Sequence, residues 1–178
     1  EIMPSLVGSE MCIRDSSATV DLPGLLDIVT TSDVLEGLKE PEDTIDASQQ
    51  LYSKAKYLSS GQGQTEIRLD NLGPTIRSEH HGNIEFRRLS LEHGGKHYEE
   101  LSAGLRERRL TPRECALIQT FPPDYRFVMR NTNGRGFRLS SSGAYKVIGN
   151  AVPPVLAFNI AMRLQELWDV YFKNDNKI

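Results

Sequence analysis

The stretch Thr111-Pro112-Arg113-Glu114 constrains this chain more than any other, because it reads as the start of a helix from every side. Thr111 can cap the N-terminus, Pro112 suits the first helical position, and Glu114 stands three residues after the cap to close a capping box. The helix must stop at Phe121, ahead of Pro122-Pro123, since a residue before proline is pushed away from helical angles. A second short helix follows, capped by Ser141 or Ser142 and closed by Gly149-Asn150, two residue types that tolerate left-handed angles. After Pro153-Pro154 the spacing predicts a long apolar helix. Its stripe of Leu156, Ile160, Leu164, Leu167 and Tyr171, widened by Ala157, Ala161 and Trp168, is a face that must be buried.

Upstream, Thr30 to Lys39 reads as a short helix, with Thr31 to Asp33 offering the cap and Gly37 limiting its length, and Pro41-Glu42-Asp43 as a loop. From Gly61 the texture changes to strand and turn. Glu66 to Asp70 alternates strictly, Gly73-Pro74 turns, and Ile84 to Leu89 alternates again, which predicts a small, mostly β subdomain. The intervening loop, Pro74 to Asn83, crowds hydroxyl, guanidinium, imidazole and amide groups into ten residues. Gly94-Gly95 is a turn, and Gly61-Gln62-Gly63 lacks the third glycine of a dinucleotide loop and reads as flexible. Tyr52, Lys54, Lys56 and Tyr57 interleave aromatics with cations, a pattern shared by nucleic-acid surfaces and ordinary amphipathic ones.

The 178 residues suffice for one domain with a modest core, and no run of eighteen apolar residues is present to span a membrane. Cys12 and Cys115 form neither a disulfide framework nor a zinc spacing, and His80, His81, His93 and His97 have no cysteine or paired acid at ligand spacing, so no metal is expected. Cys115 lies inside the capped helix and reads as a small packing residue. Charge is segregated: residues 1 to 49 hold two basic and eleven acidic residues, residues 50 to 138 fifteen basic and ten acidic. The basic middle is what a phosphate-binding surface would show, and equally what a solvated surface without a partner would show.

The two helix-forming stretches together resemble the DNA (cytosine-5) methyltransferases. The block Arg108, Leu110-Thr111, Arg113-Glu114, Ala116, Gln119 and Phe121-Pro122 is similar to the ninth ordered motif of that family, and Gly149-Asn150-Ala151-Val152-Pro153-Pro154 to the tenth. The resemblance implies an α/β family fold, a Rossmann-like S-adenosylmethionine-dependent domain plus a small recognition domain, of which this chain is an α+β C-terminal fragment. It further implies a linker with a short helix over 17–47, a target recognition segment over 48–107, a hinge helix over 108–125 and a loop over 126–143. The tenth motif and return helix then fill 144–172, ahead of a tail at 173–178. Thr75-Ile76 matches the recurring mark of the recognition domain, which makes Thr75, Ile76, Arg77, Ser78, His80, Asn83, Arg87 and Arg88 the expected contacts to double-stranded DNA. Gly149, Asn150, Ala151 and Val152 would line the pocket for S-adenosyl-L-methionine in the complete enzyme, and Arg113 and Glu114 would fix the recognition domain against the catalytic one.

The family's chemistry uses a nucleophilic cysteine in Pro-Cys-Gln, a glutamate in Glu-Asn-Val and a Phe-x-Gly-x-Gly cofactor loop, and none of these occurs here. Nor does Gln-x-Arg-x-Arg, which Leu105 to Leu110 resembles only in charge. No catalytic residue is therefore assigned, and an N-terminal catalytic portion is expected as partner, with no membrane and no metal. Residues 1 to 16 lack the basic and apolar regions of a signal peptide and resemble a peptide translated from sequencing-adapter DNA, the alternative being an ordinary disordered terminus. The expectation is thus a fragment of a bacterial or phage cytoplasmic methyltransferase. Its alternatives are a stand-alone recognition subunit of a split enzyme, starting near residue 17 and inactive by itself, and a decayed gene product.

Overall fold

The computed structural model describes residues 28–59, 61, 63–78 and 84–172. Helix α1 (Thr31–Leu35) is followed by a 3-10 turn (Pro41–Asp43), α2 (Ala47–Gln50), strand β1 (Phe86–Arg88), a second 3-10 turn (Leu91–His93), α3 (Tyr98–Ser102) and β2 (Arg108–Arg109). Then come α4 (Pro112–Ile118), β3 (Met129–Arg130), β4 (Phe137–Leu139), α5 (Ser141–Asn150), α6 (Pro154–Glu166) and α7 (Trp168–Phe172). The described residues form a mixed α and β structure with two small sheets, β1 antiparallel to β2 and β3 antiparallel to β4, each with an irregular register.

Helix α4 is the hub, in contact with α1, α2 and α5. Its start forms as the sequence predicts, although it ends at Ile118 rather than Phe121, where Thr120 turns left-handed: Thr111 Oγ1 accepts from the Glu114 N–H at 3.0 Å, and the Glu114 carboxylate accepts from the Thr111 N–H at 2.9 Å. Both residues are buried, so this cap is a core element rather than a surface one. Cys115 and Ala116 point into a cluster that also takes Leu35 from α1, Ile67, Ile76 and Ile84 from the loops, and Ala144, Tyr145 and Ile148 from α5.

Several boundaries differ from the expected ones. Thr30 rather than Thr31 to Asp33 caps α1, with Asp33 completing its capping box, and Ser140 rather than Ser141 or Ser142 caps α5. Gly149-Asn150 do not close α5 with left-handed angles; they are its last helical turn, and Ala151 leaves the helix with ψ 143°. The strand expected at Glu66 to Asp70 is a single parallel bridge from Glu66 to Phe86, while Arg68 and Asp70 pair with each other at 3.1 Å in solvent. The described residues of 48–107 are accordingly mostly in loops, in place of the expected β subdomain.

The long apolar helix is broken, because Leu167 caps α6 and α7 starts at Trp168. Val155, Leu156, Phe158, Ile160, Met162, Leu164 and Trp168 are all exposed. By length and composition alone Ser141–Glu166 is apolar enough to cross a membrane, although it contains no single run of eighteen apolar residues. Its backbone is interrupted between α5 and α6, and α5 turns Ala144, Tyr145 and Ile148 into the core.

Candidate functional site

The tenth-motif turn is held from behind by the ninth-motif helix. Tyr145 is fully buried: its hydroxyl donates to the Leu110 carbonyl at 2.7 Å and accepts from the Ser53 N–H at 3.1 Å, and burial pushes its phenol well above the ordinary value. One side chain thus joins α5 to the start of α4 and to the segment after α2. Just past α4, Gln119 Nε2 donates to the Ala151 carbonyl at 2.9 Å, and Thr120 Oγ1 accepts from the Val155 N–H at 3.1 Å, covering the N-terminus of α6. Thr120 does so at φ 65°, a left-handed angle that a β-branched residue rarely adopts. The break at Ala151 to Pro153 is therefore gripped at both ends, leaving Val152 exposed between the grips and Asn150 exposed just before them. Sequence reasoning passed over Tyr145 and Thr120, and gave Gln119 only as a motif position. The signal for Tyr145 was its place beside Ala144 and three residues before Ile148, on the buried side of α5.

The stretch expected to contact DNA lies against the same helices. Thr75 is exposed, Ile76 enters the core, and Arg77 and Ser78 are half-buried. Arg77 Nη1 sits 3.3 Å from Glu85 Oε1, close enough for charge attraction but outside hydrogen-bonding geometry. A Cβ on Gly149 would stand 2.1 Å from the Arg77 carbonyl carbon, so the last turn of α5 touches the backbone of this segment directly. His80 and Asn83, also expected at DNA, lie outside the described residues.

Arg87 and Arg88, expected to reach DNA phosphates, face inward instead. Arg88 is fully buried, pairing with Glu100 at 2.6 Å and Glu40 at 2.9 Å and donating to the Arg106 carbonyl, while Arg87 pairs with Glu100 at 2.6 Å. Arg108 bridges Glu40 at 2.9 Å and Glu114 at 2.8 Å. Burial alone would raise the Glu40 carboxyl, but hydrogen bonds and charge from Arg108 and then Arg88 outweigh it and hold the group down at about 2. Arg113 and Glu114 are not partners of each other: Arg113 pairs with Asp46 at 2.6 Å and donates to the Tyr125 carbonyl, whereas Glu114 binds Arg108. Arg109 is also internal, its guanidinium donating to the carbonyls of Ala55, Gly63 and Ile84 and lying 3.8 Å over the Phe86 ring. Gly63 is thereby anchored, where the sequence suggested a flexible loop.

The remaining candidates settle into ordinary contacts. Lys54 lies 3.4 Å over the Tyr52 ring, and Tyr57 stacks on His93, whose Nδ1 meets Glu107 at 2.5 Å. Among the described residues no three His, Cys, Asp or Glu side chains are grouped as a metal site. Cys115 is fully buried, and that burial pushes its thiol well above the ordinary value, away from the reactive thiolate.

Residues 27–166 match the model of the C-5 cytosine-specific DNA methylase family. The type II methyltransferase M.NgoPII of Neisseria gonorrhoeae is 40% identical over 77 residues, 42% of this chain and 20% of that protein. M.FnuDI of Fusobacterium nucleatum is 44% identical over 59 residues, 33% of this chain and 14% of that protein. M.DdeI of Desulfomicrobium norvegicum is 44% identical over 71 residues, 40% of this chain and 16% of that protein. The matched stretches thus span a fifth or less of these relatives, all type II methyltransferases by name. The family match extends over most of the described structure, from α1 to the end of α6, and by it the chain belongs to the C-5 cytosine-specific DNA methylases.

Proposed function

We propose that this chain supplies the DNA-recognition segment and the tenth-motif turn of a DNA (cytosine-5) methyltransferase. The whole enzyme would transfer a methyl group from S-adenosylmethionine to C5 of a cytosine flipped out of a specific double-stranded site, as part of a bacterial or phage restriction-modification system. The observation that carries the reading is the direct backbone contact between Gly149, at the tenth motif, and Arg77-Ser78, beside the Thr75-Ile76 mark. It puts the segment proposed to touch DNA and the turn proposed to face the cofactor on one helix end.

The residues at that turn fit one wall of a cofactor pocket. Asn150 offers an exposed carboxamide and Val152 an exposed apolar side chain, while the Ala151 carbonyl is already engaged by Gln119. S-adenosylmethionine, when bound, supplies the electrophilic methyl group; this chain's part is to orient and to exclude water at that wall. The proposed DNA contacts are Thr75 to Ser78, with His80 and Asn83 beyond them. Arg88, enclosed in ion pairs, is better placed to support the segment than to touch phosphate.

On this reading the nucleophile comes from elsewhere, since the sequence has no Pro-Cys-Gln, Cys115 is enclosed, and binding residues by themselves accelerate nothing. The test is radiolabelled methyl transfer to mixed-sequence duplex DNA by this chain, by the N-terminal portion of a relative carrying Pro-Cys-Gln and Glu-Asn-Val, and by the two combined. We expect incorporation only in the combination, with Cys115→Ser unchanged in it. Transfer by this chain alone that Cys115→Ser abolishes would overturn the assignment.

A further inference from the structure

The stretch from Gly73 to Ser78 meets two helices that pack on each other, and a glycine stands at one contact with each. On the α4 side, a Cβ on Gly73 would stand 2.5 Å from Ile118 Cγ2. On the α5 side, a Cβ on Gly149 would stand 2.1 Å from the Arg77 carbonyl carbon and 2.3 Å from both the Arg77 oxygen and the Ser78 nitrogen. Real Cβ contacts do not fall under 3.0 Å, and the Gly149 neighbours are backbone atoms that no rotamer change can move aside. Neither glycine is among those with positive φ, so what these positions require is space and not left-handed freedom.

We infer that Gly73 and Gly149 are positioning residues. Their bare faces form a slot between α4 and α5 that sets where Thr75 to Ser78 lie relative to the tenth-motif turn. The inference rests on reading that segment as a DNA contact. An added methyl group at either glycine lifts the segment out of the slot and exposes the Arg77–Ser78 peptide bond, which Gly149 covers.

The full 178-residue chain tests this by timed tryptic cleavage after Arg77, with exposed Arg68 as internal reference, and by fluorescence anisotropy on a mixed-sequence duplex. Gly149→Ala should speed cleavage after Arg77 about tenfold or more with cleavage after Arg68 unchanged, and should weaken duplex binding by a similar factor. Val147→Ala, on the exposed side of α5, should alter neither. Gly73→Ala should act like Gly149→Ala from the other side, and adding Ile118→Ala, which removes the atom the new Cβ would strike, should restore both readouts. Unchanged cleavage in Gly149→Ala, or a Gly73→Ala chain that Ile118→Ala fails to rescue, overturns the slot. Should Gly149→Ala prevent folding, the Gly73 and Ile118 pair decides. Cleavage that responds as expected in a chain whose wild type binds no duplex supports the slot and sinks the reading of the segment as a DNA contact.

Discussion

Tyr145 shows how one side chain can hold together stretches that are far apart in sequence. Its hydroxyl is at once donor to Leu110 and acceptor from Ser53, and no water competes at a fully buried site. Tyr145→Phe keeps the ring and removes both bonds, leaving the Leu110 carbonyl without this donor; we expect a loss of about 1–3 kcal/mol in urea unfolding. A variant as stable as wild type would show that the hydroxyl ties nothing. At this scale the sequence was legible where a residue acts on near neighbours, as Thr111 and Glu114 do in their capping box. It was not legible for Arg87 and Arg88, because the acids that neutralise a cation are chosen by the fold. Arg88 meets Glu40 from 48 positions away. Thr120 was missed for a related reason: its left-handed angle suits glycine, and only the distant Val155 N–H explains a hydroxyl there.

Elements were read correctly where periodicity coincided with burial on one side. Helices α4 and α5 sit where their caps and apolar positions put them, within a residue or two at the start. The strand at Glu66 to Asp70 failed because alternation promises only that one face is suited to a sheet; a strand also needs a partner ladder, and β1 offers three residues. For α6 the pattern promised burial, and the described structure leaves Leu156, Ile160 and Leu164 about half exposed. So large an apolar surface on one helix favours association. We expect the chain to bind a hydrophobic dye and to self-associate at high concentration. Replacing Leu156, Ile160 and Leu164 with Gln should suppress both without lowering the unfolding midpoint, since these side chains add nothing to the core. A lowered midpoint, or undiminished dye binding, would mean that the face is not the exposed surface described.

Across the whole molecule, the segregation of charge along the chain has turned out to be a folding device. The acidic front supplies Glu40 and Asp46, and the basic middle supplies Arg88, Arg108 and Arg113 to meet them. Composition left open whether the basic middle meets an external partner, because it cannot show which charges face each other. The arrangement has a pH signature of definite sign. Glu40 is held at about 2 in the fold against an ordinary 4.5, so its contribution is fully present above about pH 4.5 and is lost as pH falls towards 2. Burial opposes but Arg87 and Arg88 likewise lower Glu100, which acts in the same direction. Urea midpoints should therefore hold steady from neutral pH down to about 5 and decline below it, and Glu40→Gln should be less stable at neutral pH with a shallower decline. A Glu40→Gln profile parallel to wild type would refute this account. The same pairs set rules for anyone who would build hybrid enzymes by exchanging recognition segments between relatives. A crossover placed between Asp46 and Arg87 parts Arg88 and Arg108 from Glu40 and Arg113 from Asp46, leaving Arg88 with Glu100 and Arg108 with Glu114 as their remaining carboxylates. Grafts that carry residues 40 to 46 along with 87 to 114 keep the pairs intact, and should yield folded hybrids where shorter exchanges do not.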